Sequence, residues 1–573
     1  MKKTTLYILT AICLILVSCT NTLDEKPQGV VSSEDLNTPE NAEKMVIAAY
    51  SALGNDYWAT PYSNMWAYGS IRSGDAYKGG DGPGDVGDFN AYETFNLNRV
   101  DIGNADGTWF RLYLAIGRVN DALARVNNLT AAQLSTRLSR QAELRFLRGH
   151  FYFLLKILFK RVPYIDESIP KTDYDKISNV DLTDEQLWDK ITADFRFAGD
   201  NLPVDQSDKG RITKFAAKSY LAKALLYQAY VQDNQNNVTS INQAKLNEVL
   251  SLTDEVINSG KYSLSADYAN NFLSRFENGP ESVFAIQYSK DDGTPNGRTD
   301  NGHSLNYPMN VEYGCCGFHT PSQNLVNAFK TSLTGLPLFD SYNTINTAAG
   351  DDFKTNSFDP RLDHSVAIPG HPYKYKPTFI FQVSWTRAPQ IYGRFMSLKE
   401  TVLPDDPAFK KFPPFMSSAK NWDIIRYADV LLFKAEALIE LGRFNDAVPI
   451  INSIRTRAAN STTLLKQADG SSTSNYKINT YQPGVNCTWT QSYAREALRY
   501  ERRMEFAMEG YRFFDLVRWG IAADYLNAYF SVEKNRASHL RDAFFKKNRD
   551  EYLPIPLNQI NFSKGLYKQN TGW

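Results

Sequence analysis

Two loop stretches of the chain, 54–98 and 288–318, combine many aromatic rings with polar side chains. Aromatic rings can stack on the C–H face of a pyranose ring, while carboxylate, amide and guanidinium groups bind its hydroxyls. The two stretches therefore have the chemistry of a sugar-binding surface, although Trp66 and Tyr68 would fit a core equally well. The predicted ligand contacts are Trp58, Tyr62, Trp66, Arg72, Asp75, Tyr77, Asn306, Tyr307, Tyr313, Cys315 and Cys316.

Cys315 and Cys316 are adjacent in the sequence. In an oxidising location such a pair can close a vicinal disulfide, and its rigid eight-membered ring would offer an apolar face to a sugar. The alternatives are two free thiols, or a bond between one of them and Cys487. The spacing of the cysteines gives neither a disulfide framework nor a zinc motif.

Asp81, Asp85 and Asp88 lie close together in the Gly-rich sequence DGPGDVGD. Clustered carboxylates on such a loop are a candidate calcium site, because hard cations prefer oxygen ligands. The spacing matches no EF-hand, however, and an acidic surface loop is the commoner explanation. We therefore predict no metal site and no cofactor.

The sequence contains none of the common catalytic motifs. HExxH, GxSxG, Walker and dinucleotide-binding patterns are absent, and the 6 His are scattered. A pair of carboxylates placed as in a glycoside hydrolase remains an alternative among the 63 acidic residues. The formal net charge is zero, so no basic field favours nucleic acid as a partner. We predict that the protein is not an enzyme.

The N-terminus resembles a bacterial lipoprotein signal. Lys2 and Lys3 precede an apolar run at 6–17 that is short for a membrane span, and Leu16-Val17-Ser18-Cys19 resembles a lipobox. By that resemblance the chain is cut before Cys19, whose thiol takes a diacylglyceryl group and whose amine is acylated. Several acyl chains together anchor a protein stably. The alternative is a plain secretory signal with a chance cysteine.

Helical periodicity is clear before residue 260 and after residue 420. Helices are predicted at 39–53, 108–129, 134–159, 184–202, 213–232, 241–259, 426–441 and 445–459. Gly442 and Ala447 are placed across a turn as in a tetratricopeptide repeat, and stacked hairpins of this kind form a helical wall. The stretch 262–419 is rich in Gly and Pro, with β-like runs at 282–288 and 378–383. We predict a mostly α fold: a tetratricopeptide-like helical-hairpin scaffold with an irregular, loop-rich insert carrying short β-strands.

Most of the segment 495–520 is predicted to be one helix, since it lacks Pro and has apolar residues at helical spacing. Glu501, Glu505 and Glu509 recur at every fourth position among several arginines. Aromatic and aliphatic residues occupy much of the circumference, so the helix should lie between neighbours with its guanidinium–carboxylate pairs satisfied inside.

The sequence ERRMEFAMEGYRFFDLVRWG at 501–520 resembles the C-terminal signature of the SusD/RagB family, the outer-membrane nutrient-binding lipoproteins of Bacteroidetes. The same family is matched in order by LDEKP after the signal, DPRL at 359–362, the segment 426–458, and YLPIP…LYKQNTGW at the end. The resemblance spans the whole mature chain. It implies that the glutamate ladder is structural, and that ligand is bound on loops from the two stretches described above.

The resemblance implies a lipid-anchored protein of the cell outer membrane, facing the exterior, that captures an oligosaccharide and delivers it to a TonB-dependent, SusC-like transporter. The alternatives are a peptide-binding uptake component like RagB, a surface glycoside hydrolase, and a purely structural subunit of the transporter complex. The expected divisions are a signal peptide at 1–18, a lipidated tether at 19–39, an N-terminal helical region at 40–260, a ligand-face insert at 261–420 and a C-terminal helical region at 421–573.

Overall fold

The computed structural model describes residues 37–97, 100–295, 297–347 and 350–573. Helices make up 46% of it and strands 10%, which confirms the predicted mostly α class. None of the helices in these ranges is long and apolar enough to cross a membrane. The predicted signal segment, Cys19 and the tether as far as residue 36 lie outside the described residues.

The longer helices form a layer in which most neighbours along the chain are also neighbours in space. In chain order they are α1 (Pro39–Tyr50), α2 (Gly87–Thr94), α3 (Gly103–Asn128), α4 (Arg137–Phe159), α5 (Asp184–Asn201), α6 (Lys214–Ala229), α7 (Gln243–Asn258), α8 (Gln323–Ala328), α9 (Asp352–Thr355), α10 (Arg361–Ser365), α11 (Pro389–Tyr392), α12 (Tyr427–Glu440), α13 (Phe444–Asn460), α14 (Gln491–Glu505), α15 (Arg512–Arg518), α16 (Ala522–Glu533) and α17 (Leu557–Phe562). Each of α3 to α6 packs on the next helix, α7 packs on α12, and α12 packs on α13 and α14. The layer is therefore continuous between the N-terminal and C-terminal parts of the chain.

Local sequence explains where several of these helices begin and turn. The side chain of Thr183 caps α5 in a capping box with Gln186, and the side chain of Thr213 caps α6 by accepting a hydrogen bond from the backbone N–H of Ala216. Gly442 turns the chain between α12 and α13 with φ of +80°, and the buried Ala447 follows in α13. The helical hairpin predicted around Gly442 is thus present, and its tetratricopeptide-like character stays a prediction.

The described strands form antiparallel pairs rather than one large sheet. They are β1 (Ala76–Gly79), β2 (Tyr230–Gln232), β3 (Val238–Ile241), β4 (Ser282–Ile286), β5 (Phe318–Pro321), β6 (Val366–Ala367), β7 (Met396–Ser397), β8 (Phe409–Phe412), β9 (Phe415–Ser418) and β10 (Trp422–Arg426). The pairs are β1–β5, β2–β3, β4–β10, β6–β7 and β8–β9. In the first pair Tyr77 lies opposite Thr320 and Gly79 opposite Phe318. This pair joins the two loop stretches that the sequence analysis singled out.

One predicted strand is present and one is not. The run at 282–288 forms β4, whereas the run at 378–383 forms no strand and makes a single bridge between Ile380 and Pro372. Aromatic packing takes its place. The rings of Phe379 and Phe381 lie 4.7 and 5.5 Å from that of Trp385, centre to centre.

The segment 495–520 is two helices rather than the single helix predicted for most of it. The chain leaves helical geometry after Glu505, with positive φ at Met508 and Gly510, and resumes in α15. The break lies where another loop approaches: a Cβ on Gly510 would lie 2.0 Å from the carbonyl oxygen of Asn64. A residue with a side chain could not occupy this contact, so tertiary packing overrides the helical pattern.

A buried ion-pair network surrounds this break. Glu505 accepts hydrogen bonds from Arg361 at 3.1 Å and from Arg426 at 2.9 Å, and it also binds Arg457. Arg426 donates further to Glu509 and to Glu281. Burial would raise the pKa of Glu505, but the surrounding guanidinium groups hold it well below its ordinary value. The structural role that the sequence assigned to the glutamate ladder agrees with this geometry.

Asp56 is a buried carboxylate without such compensation. Its Oδ2 accepts hydrogen bonds from the backbone N–H and hydroxyl of Ser63, while its Oδ1 is buried without a hydrogen-bond partner. Burial, followed by the charge of Asp300, raises the pKa of Asp56 from 3.8 to about 7. The folded protein therefore holds the protonated form of Asp56 more readily than the unfolded chain does.

We predict that Glu505→Gln lowers the free energy of unfolding by about 3–5 kcal/mol, because it leaves buried arginines without their full counter-charge. Glu40→Gln removes one side of the exposed Glu40–Lys44 pair and should leave stability unchanged. Denaturant unfolding of both variants measures the difference. Equal stability of the two variants would show that the network does not hold the fold together.

We predict that Asp56→Asn becomes relatively more stable as the pH rises. As the pH rises from the pKa of Asp56 in the unfolded chain to its pKa in the folded protein, the native protein loses more and more of its free energy of unfolding, because a buried Asp56 ionises less readily. Between pH 5 and pH 8 the unfolding free energy of the variant, relative to the native protein, should rise by about 2–3 kcal/mol. Asp542→Asn, at an exposed position, is the control and should give a parallel pH profile. If the unfolding free energy of Asp56→Asn changed with pH in the same way as that of the native protein, the raised pKa of Asp56 would be contradicted.

Candidate functional site

The C-terminal helices fix the position of the first loop stretch. Arg72 donates from Nη2 to the carbonyl oxygen of Asp550 at 2.6 Å, and its guanidinium lies 3.9 Å from the ring centre of Phe513. Asp75 is paired with Arg503 of α14 at 2.7 Å. These contacts join residues more than 400 positions apart in the sequence. They hold the loop against the helical layer, which explains why these charged side chains are buried.

Most of the predicted ligand residues have buried side chains, each at most 3% exposed. They are Tyr62, Trp66, Arg72, Asp75, Tyr77, Asn306, Tyr307, Tyr313 and Cys316. A side chain with so little exposed surface has no face on which a sugar ring could stack. In this structure these side chains pack and position the loops, and their contact with a ligand stays a prediction.

Specific contacts show what these buried groups do instead. Trp66 donates its indole N–H to the carbonyl oxygen of Gly302 at 2.9 Å, which ties the first loop stretch to the second. Tyr313 donates its hydroxyl to the carbonyl oxygen of Val402 at 2.7 Å. Their polar atoms thus bind backbone groups of neighbouring loops, and their rings fill the space between those loops.

Cys315 and Cys316 are joined by a vicinal disulfide, and Cys487 is a free thiol. Of the alternatives that the sequence left open, this is the one the structure contains. Cys316 is buried, whereas Cys315 is half-buried, so one edge of the ring is accessible. The flanking Gly317 packs closely: a Cβ there would lie 2.9 Å from Cβ of Arg387.

Three accessible aromatic side chains of this region lie next to one another, and together with the accessible Cys315 we call them the front face: Tyr57, Trp58, Phe415 and Cys315. The ring centres of Tyr57 and Trp58 are 5.2 Å apart, and those of Trp58 and Phe415 are 6.1 Å apart. Tyr57 is 42% exposed, and Trp58 and Phe415 are half-buried. Met416, next to Phe415, lies 3.8 Å from the position of a Cβ on Gly314, which precedes the disulfide. The segment that carries Phe415 therefore packs beside the segment that carries the disulfide.

Polar groups lie beside the disulfide. Arg387 donates to Asp85 Oδ2 at 2.9 Å, and the pair is partly exposed. Glu312 is exposed, and its carbonyl oxygen accepts a hydrogen bond from Lys411 at 3.3 Å. A ligand on the front face would thus meet apolar rings in the middle and carboxylate and guanidinium groups at the edge.

The three aspartates proposed as calcium ligands do not converge on one point: Asp81 and Asp85 pair with Arg387, and Asp88 binds elsewhere. Asp85 Oδ2 accepts from the backbone N–H of Asp81 and from Arg387, while Asp88 Oδ2 accepts from the N–H of Asn104. Within the described ranges, His, Cys, Asp and Glu side chains form no group of three that could hold a metal ion. The geometry therefore does not support the calcium candidate.

Sequence reasoning missed Phe415 and Arg387. Both lie in the predicted insert, far along the chain from the two loop stretches, and single-residue composition did not distinguish them. The available signal for Phe415 was the run Phe412-Pro413-Pro414-Phe415, since prolines between aromatic residues indicate an exposed tight turn. Arg387 had no comparable signal.

Comparisons with known proteins agree with this architecture. A model described as the SusD family matches residues 280–573, and one described as starch-binding, associating with the outer membrane, matches residues 23–226. A SusD-like protein of Bacteroides ovatus is 24% identical over 524 residues, covering 90% of this chain and 82% of the relative. SusD-like protein P2 of Formosa agariphila is 24% identical and aligns over the whole of both chains.

Solved structures share the fold. A laminarin-binding SusD-like protein superposes with a TM-score of 0.67 at 21% identity, covering 94% of this chain and all of its own. Surface glycan-binding protein A of Bacteroides thetaiotaomicron, in complex with laminarihexaose, gives 0.63 at 22% identity, covering 93% and 99%. The family model alone spans half of the sequence, including the segment 501–520 that carried the resemblance. The chain belongs to the SusD family.

Proposed function

We propose that the protein binds a glycan non-covalently on its front face. The observation that carries this proposal is that Tyr57 is exposed and that the neighbouring rings of Trp58 and Phe415 are partly accessible, in a region whose other predicted ligand aromatics are buried. Neighbouring exposed rings are costly to leave in water and stack well on the C–H faces of sugars. A row of rings with polar groups at its edge suits an oligosaccharide better than a small compact ligand.

The relatives support this choice of ligand. One structural neighbour is named for laminarin binding, another contains laminarihexaose, and the model that matches residues 23–226 is named for starch binding. These names concern those proteins, and the low identities leave the particular glycan of this chain open. We carry over to this chain only the class of ligand, a glycan.

The remaining elements of the proposal concern location and purpose. We propose that Cys19 is lipidated after removal of residues 1–18, that residues 19–39 tether the protein to the outer membrane, and that the front face is turned to the exterior. The bound oligosaccharide would pass to a TonB-dependent, SusC-like transporter, without cleavage by this protein. The division into regions at 40–260, 261–420 and 421–573 belongs to the same proposal.

Trp58→Ala and Phe415→Ala should each weaken glycan binding by about five- to thirtyfold, since each removes an aromatic stacking surface worth roughly 1–2 kcal/mol. The measurement is affinity electrophoresis and calorimetry of the mature domain, lacking Cys19, with laminarin, starch and other neutral polysaccharides. Phe110→Ala is the matched control, because Phe110 is a 61% exposed ring on α3 that is not one of the front-face residues. It should leave the affinity unchanged.

Three outcomes would contradict the proposal. Equal loss of binding in Phe110→Ala would mean that the rings act non-specifically. Binding of peptide digests but of no polysaccharide would favour the peptide-binding alternative. Release of shortened sugars during the same incubation would show that the protein is an enzyme.

Replacing both cysteines, as in Cys315→Ala with Cys316→Ala, should weaken glycan binding several-fold, because the accessible edge of the disulfide ring is part of the proposed face. Cys487→Ala removes the free thiol and is the control, with no change expected. Calorimetry of both variants with the best polysaccharide measures the effect, and circular dichroism confirms folding. If the double variant binds as tightly as the native protein, the disulfide makes no contact with ligand.

A further inference from the structure

A cleft opens beside the turn that leads into the front face, and we call it the side cleft. Its volume is about 330 Å³, within the range of small-molecule sites. Its walls are the end of α1 with the turn that follows it, the loop between α5 and α6, the end of β4, and the hairpin closed by the bridge between Ser289 and Arg298. Its lining includes Ile47, Tyr50, Asp208, Lys209, Arg211 and Arg298.

The walls of the side cleft are packed closely against one another. A Cβ on Gly210 would lie 2.2 Å from Cγ of Gln287, and a Cβ on Gly54 would lie 2.8 Å from Cε1 of Tyr288. Neither position has room for a side chain, so the loop before α6 and the turn after α1 both lie directly against the segment that follows β4. The cleft is therefore a preformed feature of the fold, which reduces the cost of ordering it around a ligand.

The charges on the lining favour an anion. Three of the lining side chains are cations, whereas one, Asp208, is a carboxylate. Arg211 is already neutralised, because it pairs with Asp208 at 2.8 Å and with the buried Glu143 at 2.9 Å. Lys209 and Arg298 are both exposed, and within the described ranges neither side chain forms an ion pair. These two unpaired cations leave the lining with an excess of positive charge.

The carboxylates of the neighbouring hairpin do not cancel this excess. Asp291 is engaged by Lys410 at 3.4 Å. Asp292 accepts hydrogen bonds from the hydroxyls of Ser289 and Thr294, each at 2.6 Å. Even when Asp292 is counted, the two unpaired cations of the cleft outnumber it. The formal net charge of the chain is zero, so the positive charge is a local property of this cleft rather than of the whole protein.

The side cleft and the front face are carried by neighbouring segments. Gly54 lines the cleft and Tyr57 belongs to the front face, so their Cα atoms are at most about 11 Å apart. Lys290 of the hairpin donates to the carbonyl oxygen of Phe409 at 3.5 Å, and Phe409 lies in β8, which pairs with the strand that carries Phe415. An oligosaccharide of several units is therefore long enough to reach from the front face into the cleft.

We propose that the side cleft is a second subsite of the glycan-binding surface, and that it takes a carboxylate or sulfate group carried by the glycan. Lys209 and Arg298 donate charge-assisted hydrogen bonds to the acidic group. The sugar ring that carries this group packs its C–H face on Tyr50 and on Ile47, which is 57% exposed. The inference rests on the proposed function and narrows its ligand class to an acidic glycan.

Polysaccharides that differ only in charge test the subsite. Laminarin and soluble starch are each used in the native form, after sulfation, and after oxidation of C6 to a carboxylate, and binding is measured by calorimetry. At low ionic strength at least one acidic form should bind more tightly than its neutral parent. The gain should disappear in about 0.5 M NaCl, because salt screens exposed charges. The sulfated and oxidised forms distinguish the two acidic groups, and the absence of a gain with both would overturn the subsite.

Arg298→Gln and Lys209→Gln should each weaken binding of the acidic form about two- to fivefold, as expected for the loss of one exposed ion pair. Binding of the neutral form should not change. Arg541→Gln is the matched control, since Arg541 is an exposed arginine that lines neither the side cleft nor the front face. Equal losses in the control would show non-specific binding of the polyanion and would overturn the subsite.

Trp58→Ala separates this inference from the proposed function. One glycan that occupies both places should lose neutral and acidic binding in Trp58→Ala, and only the gain from charge in the double variant Arg298→Gln with Lys209→Gln. If neutral forms bind through Trp58 and charge adds nothing, the proposed function stands and the subsite is overturned. If acidic binding persists in Trp58→Ala and fails in the double variant, the cleft stands as an anion site and the front face is overturned.

Discussion

Glu505 binds three arginines that come from three separate parts of the chain, and the rest of the structure depends on this arrangement. Arg361 is the arginine of the DPRL motif, Arg426 ends β10, and Arg457 lies in α13. All are buried, so the network is satisfied only when the insert, the helical hairpin and the C-terminal helix are assembled together. The pairing is therefore a constraint on assembly as well as a source of stability.

The same region holds the loop that carries the front face. Immediately after Glu505 the helix breaks, and the backbone at Gly510 contacts the loop at Asn64. Arg503, two residues before Glu505, is paired with Asp75 of the same loop. Tyr57 and Trp58 thus lie on a segment whose inner side is fixed by buried polar contacts, and only their outer side meets solvent. A rigid frame with a small exposed aromatic surface can bind a sugar without reorganising, which reduces the entropic cost of binding.

The sequence predicted what depends on local pattern and motif. Helical periodicity predicted most of the long helices, and the adjacent cysteines predicted the disulfide as one of three alternatives. The segment 501–520 gave the family. Which side chains are accessible depends on distant contacts: nothing local distinguishes Trp58, which is half-buried, from Trp66, which is bonded to Gly302 and fully buried. Phe415 joins the front face only because β8 and β9 bring it beside Trp58, and that proximity is invisible in the sequence.

The central claim is that the front face is the place where a glycan binds. A crystal structure of the mature domain with the best-bound oligosaccharide tests it most directly. The account predicts sugar rings stacked on Trp58 and Phe415, with the chain of the glycan passing the edge of the Cys315–Cys316 disulfide. An oligosaccharide bound elsewhere, with the front face open to solvent, would contradict it.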